Sequence, residues 1–241
     1  MFFFNLKNLG IVPTKENIDS YAALIQAIKK NDAPTEVDKI LAFHSQASGN
    51  NNSILLMMAI EHGELEAVRA LLNPVHGIDV NQTFGDTRDT MLMLAISCGK
   101  VQVAEELLKV SEIDVNQKNT DGYTALISAT VNGYINVVKT LLKFSSLEDI
   151  FHKHKNGYTA LMFSEKNGSA AISSLIREKA KEIAIEAHAR VAEALNHSST
   201  TNGPLNIVDD YLGFSDYFPS SKKSSRAPEE QPEENNKRLK L

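Results

Sequence analysis

The sequence predicts an all-α solenoid in which a pair of short helices recurs along the chain. Four related blocks lie within residues 52–177 and carry a leucine at matching positions: Leu56, Leu92, Leu126 and Leu161. Each block has a glycine seven residues after that leucine: Gly63, Gly99, Gly133 and Gly168. Both sets are spaced 36, 34 and 35 residues apart, and a period in this range is typical of stacked repeat proteins. Such an array offers a binding surface rather than a catalytic pocket.

Each block predicts two helices separated by its glycine. Thr124 stands where the first helix of the block at 119–142 begins, and its hydroxyl is suited to capping free N–H groups; Thr90 and Thr159 stand in the same place in two other blocks. Gly133 can adopt the left-handed conformation that often ends a helix. The second helix then has an apolar stripe at helical spacing, formed by Val137, Val138, Leu141 and Leu142.

These blocks resemble ankyrin repeats. An ankyrin repeat opens with D-x-x-G-x-T-P-L-H, continues through an inner helix, a glycine and an outer helix, and returns through a finger that contains D-V-N. Here residues 119–127 read NTDGYTALI, and IDVN occurs at 78–81 and again at 113–116. The resemblance covers about residues 17–178. It implies an ankyrin-repeat solenoid of four clear repeats plus one degenerate repeat.

The chain departs from the family pattern at the tetrapeptide T-P-L-H. The four clear copies read ILLM, TMLM, TALI and TALM, so the proline and the histidine are missing from all of them. We expect methionine and isoleucine packing to replace the hydrogen bonds of that histidine, with a lower stability than that of a consensus array. In the last copy Glu165 takes a position that is normally small and buried, which fits the polar terminal repeats that keep a solenoid soluble.

The predicted organisation has four parts. An N-terminal segment (1–16) precedes the repeat domain (17–178), whose copies are about 17–50, 51–84, 85–118, 119–153 and 154–178. A C-terminal capping helix is expected at 179–197, with a partner-binding helix as the alternative. Residues 198–241 read as a linker and a mostly disordered tail. Within them, the acidic and aromatic segment 205–219 could dock on the array or serve as a linear motif for a partner.

Composition excludes several classes of protein. The net charge of −5 argues against direct nucleic-acid binding. The single cysteine, Cys98, allows no intrachain disulfide and indicates a reducing compartment such as the cytosol. No apolar run approaches the length of a membrane span, and the apolar start lacks the basic region of a signal peptide.

Residues that could carry chemistry are few. His152 and His154 lie in a predicted finger, where we expect them to be exposed, and two histidines do not complete a zinc site. Cys98 has no histidine or acid placed beside it by a motif, as a nucleophile would need. Phosphate-binding loops are absent. We therefore expect no enzyme activity, no cofactor and no small-molecule substrate.

The resemblance implies that another protein binds in the concave groove lined by the fingers and inner helices. Tyr123 and Tyr158 are the expected anchors, because aromatic side chains combine a large contact area with few rotamers. Carried over copy by copy, the groove positions are Asn50, Asn51, Ser53, Glu61 and His62; Asp86, Thr87, Asp89, Ser97 and Cys98; Thr120, Asp121, Tyr123, Val131 and Asn132; and Lys155, Asn156, Tyr158, Lys166 and Asn167. The second finger is one residue longer, which leaves its register open. Acidic residues dominate the early copies and basic residues the last, so we expect a partner of complementary polarity.

The tail suggests two settings for this binding. Lys222–Lys223 and the cluster at 237–240 are similar to a bipartite nuclear import signal, while the glutamate pairs at 229–230 and 233–234 ahead of Leu239 and Leu241 are similar to export signals of type IV secretion. TALM in place of TPLH also resembles ankyrin copies in effectors of intracellular bacteria. We expect a secreted effector acting on a host protein; a resident cytosolic or nuclear regulator is the alternative. A charged tail without any signal is the third possibility.

Overall fold

The computed structural model describes residues 14–30 and 52–194, and within them the expected all-α solenoid is confirmed. Its helices are α1 (Lys15–Lys29), α2 (Asn52–His62), α3 (Leu65–Leu71), α4 (Met91–Ser97), α5 (Val101–Leu107), α6 (Ala125–Val131), α7 (Ile135–Leu141), α8 (Leu147–Ile150), α9 (Ala160–Lys166) and α10 (Ala170–Ala194). A short 3-10 helix spans Pro74–His76, and the strands β1 (Thr83–Phe84) and β2 (Asp89–Thr90) pair antiparallel.

The inner helices α2, α4, α6 and α9 follow one another as neighbours in one layer, and the outer helices α3, α5 and α7 form a second layer. The expected caps are confirmed, since Thr90, Thr124 and Thr159 each accept a hydrogen bond from the backbone three residues on. The inter-helix glycines are all left-handed, with φ of 76°, 70°, 74° and 68° at Gly63, Gly99, Gly133 and Gly168.

Apolar packing does replace the missing histidine in three of the four clear copies. Met57, Met93 and Ile127 are buried between successive inner helices, whereas Met162 in the last copy is 40% exposed. The position that carries Glu165 follows the same trend. Its counterparts Ile60 and Ile96 are buried, but Glu165 is exposed and pairs with Arg177. In α9, the last described inner helix, Met162 and Glu165 are thus exposed at positions that are buried in the preceding inner helices.

Two helices extend across predicted domain boundaries. Helix α1 begins at Lys15 rather than at 17, because Thr14 and Asn17 form a capping box in which Thr14 N donates to Asn17 Oδ1 at 2.8 Å. Helix α10 runs without a break across the predicted boundary at 178, because residues 170–194 contain neither glycine nor proline and are rich in alanine. The outer helix of the last copy and the expected cap are therefore one helix.

The chain divides into two compact units, residues 1–183 and 184–241. The first contains the stacked helix pairs, and the described part of the second is the end of α10. The expected second helix of the degenerate copy, the segment 1–13 and everything from 195 onward lie outside the described residues. No described helix has the length and apolar character needed to cross a membrane.

Hydrogen bonds join the returning loops at 78–82 and 113–117 to the next copy. Asn81 donates from Nδ2 to the carbonyl oxygen of Glu112 at 2.7 Å and accepts from Asp114 N at 2.7 Å. One copy later, Asn116 donates to Asp149 Oδ2 at 3.0 Å. The asparagine of the IDVN segment thus links successive returning loops, because its amide can donate and accept at once.

Two glycines at equivalent loop positions offer a test of how tightly the loops pack. Gly122 and Gly157 are both left-handed, with φ of 78° and 81°. A Cβ on Gly122 would lie 3.1 Å from the Cα of His154, whereas a Cβ on Gly157 would meet nothing within 4 Å. We expect Gly157→Ala to lower the free energy of unfolding by about 1–2 kcal/mol, the cost of a left-handed alanine. Gly122→Ala should cost about 1–3 kcal/mol more, because the obstructing atoms are backbone.

Urea denaturation of the two variants and the unchanged chain measures the difference. Equal losses of stability in the two variants would mean that the loops of the third and fourth copies are not packed against each other in solution.

Candidate functional site

The loops that precede the inner helices α4, α6 and α9 share one turn. In each, the backbone N–H of a left-handed residue donates to the carbonyl oxygen three residues earlier: Arg88 to Gly85 at 3.2 Å, Gly122 to Asn119 at 2.9 Å and Gly157 to His154 at 2.8 Å. Arg88, with φ of 54°, is the one non-glycine residue with positive φ in the described residues. It occupies the position that glycine holds in the next two copies.

This shared turn settles the register of the longer second finger. Asp86, Thr87 and Asp89 stand at the same distances from the left-handed residue as Thr120, Asp121 and Tyr123 do in the next copy. The extra residue therefore lies before Gly85, where β1 and β2 form a small hairpin. We call the surface formed by these turns and by the C-terminal ends of the inner helices the recognition face.

Asn119 stabilises the turn at Gly122, in the third clear copy. Its Oδ1 accepts from Asp121 N at 3.0 Å and from Tyr123 N at 2.9 Å, while its Nδ2 donates to Asp89 Oδ1 at 2.7 Å. Thr87 Oγ1 donates to the other oxygen of Asp89 at 2.9 Å. The carboxylate of Asp89 thus supports the loops, which the groove assignment from sequence does not foresee. The signal for Asn119 was its place at the first position of the opening D-x-x-G.

The backbones of neighbouring turns are also joined directly. Thr120 N donates to the carbonyl oxygen of Thr87 at 2.8 Å, and Lys155 N donates to that of Asp121 at 3.0 Å. His152 Nε2 forms a hydrogen bond with the carbonyl oxygen of Gly122 at 2.9 Å, which makes this ring nitrogen the donor. Three successive turns therefore form one connected strip of backbone.

The expectation that His154 is exposed is wrong. His154 is 6% exposed and takes the place of Asn119 in the fourth copy, where its Nδ1 accepts from Asn156 N at 2.9 Å. Its ring packs against three aromatic rings, with centroid distances of 5.0 Å to Tyr123, 5.9 Å to Tyr158 and 5.1 Å to Phe163. Burial follows from these neighbours, which belong to two different copies.

The two expected anchors differ in accessibility. Tyr123 is half-buried beneath the aromatic cluster, whereas Tyr158 is 40% exposed and Val131, at the end of α6, is 39% exposed. The ammonium of Lys166 lies 5.3 Å from the centre of the Tyr158 ring, over its face. Lys166 thus lies beside Tyr158, and the next residue, Asn167, donates to the carbonyl oxygen of Val131 at 3.4 Å. Apolar and positively charged side chains are therefore exposed on α9 and at the adjoining end of α6.

The predicted asparagines of the third and fourth copies are exposed, and two of them bond to nearby carbonyl oxygens. Asn132 Nδ2 donates to the carbonyl oxygen of Ser128 at 2.9 Å, and Asn167 Nδ2 donates to that of Val131 at 3.4 Å. Asn156 and the side chain of Thr120 are exposed at the turns, as is Asp86 in the second finger.

The first copy is less open than the sequence suggests. Glu61 and His62 are half-buried, and the ring of Tyr21 on α1 stacks on His62 with centroids 5.7 Å apart. Burial, and then the negative charges of Glu64 and Glu61, raise the pKa of Tyr21 well above its ordinary value. The phenol therefore stays neutral, and α1 covers part of this end of the recognition face. The predicted Asn50 and Asn51 lie outside the described residues, while Ser53 is buried.

The expected gradient of charge is weaker than the sequence suggests. Lys155 Nζ lies 3.0 Å from Asp121 Oδ1, so these opposite charges from adjacent copies pair with each other. His154 is buried and Asp89 is bonded to Asn119 and Thr87. Among the predicted groove positions that the structure describes, the exposed charges outside an ion pair are those of Asp86 in the second copy and Lys166 in the fourth. In the described part of the chain, no three histidine, cysteine or acidic residues come together as a metal site would require.

Comparison with known proteins identifies the repeat. Residues 56–153 match the family described as ankyrin repeats, in three copies. The chain is 33% identical over 105 residues to the ankyrin repeat-containing protein ITN1 of Arabidopsis thaliana. This aligned stretch covers 44% of this chain and 15% of ITN1. The chain is equally similar, over 105 residues, to the probable E3 ubiquitin-protein ligase XBOS32 of Oryza sativa subsp. japonica, covering 44% of this chain and 20% of that protein. The chain thus spans a fifth or less of the length of these relatives.

Arg88 allows a test of the shared turn. Because an L-residue in the left-handed region costs about 1–2 kcal/mol and glycine does not, Arg88→Gly should be more stable than Arg88→Ala by about 1 kcal/mol. In an ordinary helix or strand the order would be reversed. Urea denaturation of both variants decides the order, and an alanine variant as stable as the glycine variant would rule out the left-handed turn at this position.

Proposed function

Because this chain is an ankyrin-repeat protein, we propose that it binds a protein partner through its recognition face. Ankyrin repeats support a protein–protein interaction module in general terms. The finer assignment, which surface binds and with which residues, is ours. It corresponds to the concave groove that the resemblance implies.

The observation that carries this proposal is the exposure of Val131, Tyr158 and Lys166 on the recognition face, with the Lys166 ammonium over the Tyr158 ring. Large apolar side chains that remain exposed beside a polar rim are typical of binding sites. Tyrosine is also enriched among the residues that dominate binding energy. Other predicted positions, among them Asp89 and Tyr123, are occupied in holding the turns, which concentrates the binding energy in the third and fourth copies.

A binding role is proposed here rather than a catalytic one. Ankyrin repeats are typically non-catalytic, and the ligase name belongs to a relative of which this chain covers 20%. The described residues place polar groups in loop hydrogen bonds rather than around a reacting centre. No cofactor and no small-molecule substrate enter the proposal.

Capture of partners from cell lysate tests the surface. The full chain serves as bait, unchanged or carrying Val131→Ala and Tyr158→Ala. Proteins bound through the recognition face should be retained at least about tenfold less by the double variant, since losing such anchors costs about 2 kcal/mol or more. Quantitative mass spectrometry measures the retention of each protein.

The matched control carries Ile135→Ala and Phe144→Ala. These residues lie on and just after the outer helix α7 and are 45% and 53% exposed, similar to the pair under test. Proteins lost from the control but kept by the groove variant would place binding on the outer helices and overturn the proposal. Melting curves of both variants show whether either loss comes from unfolding.

We further propose that the chain acts in the cytosol of a host cell as a secreted bacterial effector. The support is the TALM tetrapeptide of the last copy and the glutamate pairs that precede Leu239 and Leu241. The alternative is a resident regulator that enters the nucleus, and it is supported by the two basic clusters at 222–223 and 237–240.

Deletion of residues 220–241 separates the two settings. In a type IV secretion reporter assay, an effector should lose translocation when this segment is removed. A resident regulator should instead lose nuclear accumulation when a fluorescent fusion is expressed in eukaryotic cells. Unchanged behaviour in both assays would mean that the segment carries neither signal.

A further inference from the structure

The recognition face has an apolar end whose shape is fixed before any partner binds. Tyr158 packs against Phe163 with ring centroids 5.5 Å apart, and Phe163 in turn lies 6.2 Å from Tyr123. The buried ring of His154 fills the space among them. Because Tyr158 is held by this cluster, binding against its exposed edge costs little side-chain entropy.

The same end carries a positive charge that nothing in the described residues neutralises. Lys166 is exposed, and its ammonium lies over the Tyr158 ring rather than against a carboxylate. The neighbouring acid, Glu165, pairs with Arg177, and Asp121 pairs with Lys155. These two carboxylates are thus each engaged with another cation, which leaves Lys166 available to a partner.

The position of Lys166 limits what can bind beside Tyr158. Lys166 already forms a cation–π interaction with the face of the Tyr158 ring, so that face is not available to a second cation from a partner. A basic partner segment would therefore meet repulsion here without a compensating site. A carboxylate, in contrast, can approach the ammonium from the solvent side while an apolar side chain covers Tyr158 and Val131.

We propose that this end of the recognition face binds a partner segment in which a carboxylate side chain stands next to a large apolar one. The apolar side chain contacts Val131 and the exposed part of Tyr158, and the carboxylate pairs with Lys166. This inference rests on the proposed function, since it names the chemistry of the segment that the recognition face takes.

A selection from short random peptides displayed on phage tests this chemistry. The full chain is the bait, and peptides that it retains are sequenced and compared with the unselected library. Selected peptides should be enriched in aspartate or glutamate within a few positions of phenylalanine, leucine, isoleucine or tryptophan. Enrichment of lysine and arginine, absence of any charge preference, or recovery of no peptide above background would each overturn the inference.

Variants then connect the selected peptides to Lys166. A labelled synthetic copy of the most enriched peptide should bind Lys166→Glu at least about tenfold more weakly than the unchanged chain, with a smaller loss for Lys166→Met, which keeps the aliphatic stem over Tyr158. Lys139→Glu is the control, because Lys139 is also an exposed lysine in the last turn of a helix, but on the outer helix α7. It should leave the affinity within about twofold, since only screened long-range charge changes.

The outcomes separate this inference from the proposed function. If the peptide loses affinity for Tyr158→Ala but binds Lys166→Glu as tightly as the unchanged chain, binding through the recognition face is supported. The proposed pairing of a partner carboxylate with Lys166 is then wrong. If the peptide binds the Tyr158→Ala variant as tightly as the unchanged chain, both proposals fail together. If the expected result is obtained, the peptide should also bind more weakly at higher sodium chloride concentration. This dependence of affinity on salt should be smaller for Lys166→Met, which lacks the charge.

Discussion

Left-handed residues in the loops are the constraint on which the alignment of the copies depends. At Arg88, Gly122 and Gly157 the backbone turns so that its N–H points back to a carbonyl oxygen three residues earlier. The adjoining groups are then directed at the next copy, and Thr120 N and Lys155 N meet the carbonyl oxygens of Thr87 and Asp121. Without this turn the loops would have backbone groups facing one another with no partner, which is costly when they are shielded from water.

The same position is held by different chemistry in successive copies. Asn119 supports its turn through an amide that accepts two backbone N–H groups and donates to Asp89. His154 accepts one backbone N–H through a ring nitrogen and contributes its remaining surface to an aromatic cluster. With histidine in place of asparagine, the fourth copy lacks, in the part of the chain that the structure describes, a hydrogen bond to the preceding finger like the one from Asn119 to Asp89. In return the fourth copy gains a rigid apolar support beneath Tyr158, which an asparagine could not supply.

Local signals explain what could be predicted from the sequence. A threonine cap and a helix-ending glycine act within a few residues of themselves, so Thr124 and Gly133 could be assigned without knowing their surroundings. The burial of His154 could not, because Tyr123 and Phe163, which cover it, lie in different copies. The pairing of Lys155 with Asp121 likewise joins residues 34 positions apart. Glu165 is exposed for a related reason, since no further inner helix within the described residues covers its side of α9.

A division of labour among the loop residues follows from these contacts. Residues that fix the backbone, such as Asn119, Asp89 and His154, have their polar atoms engaged, and changing them would disturb the turn before it altered a partner's contacts. In the described residues, the side chains of Val131, Tyr158 and Lys166 form no hydrogen bond within a turn, so changing them leaves the hydrogen bonds of the turns in place. Under the proposed function, specificity therefore depends on a few side chains in the last two copies. The loops contribute mainly by holding those side chains at fixed distances from one another, which is the preorganisation that favours tight binding.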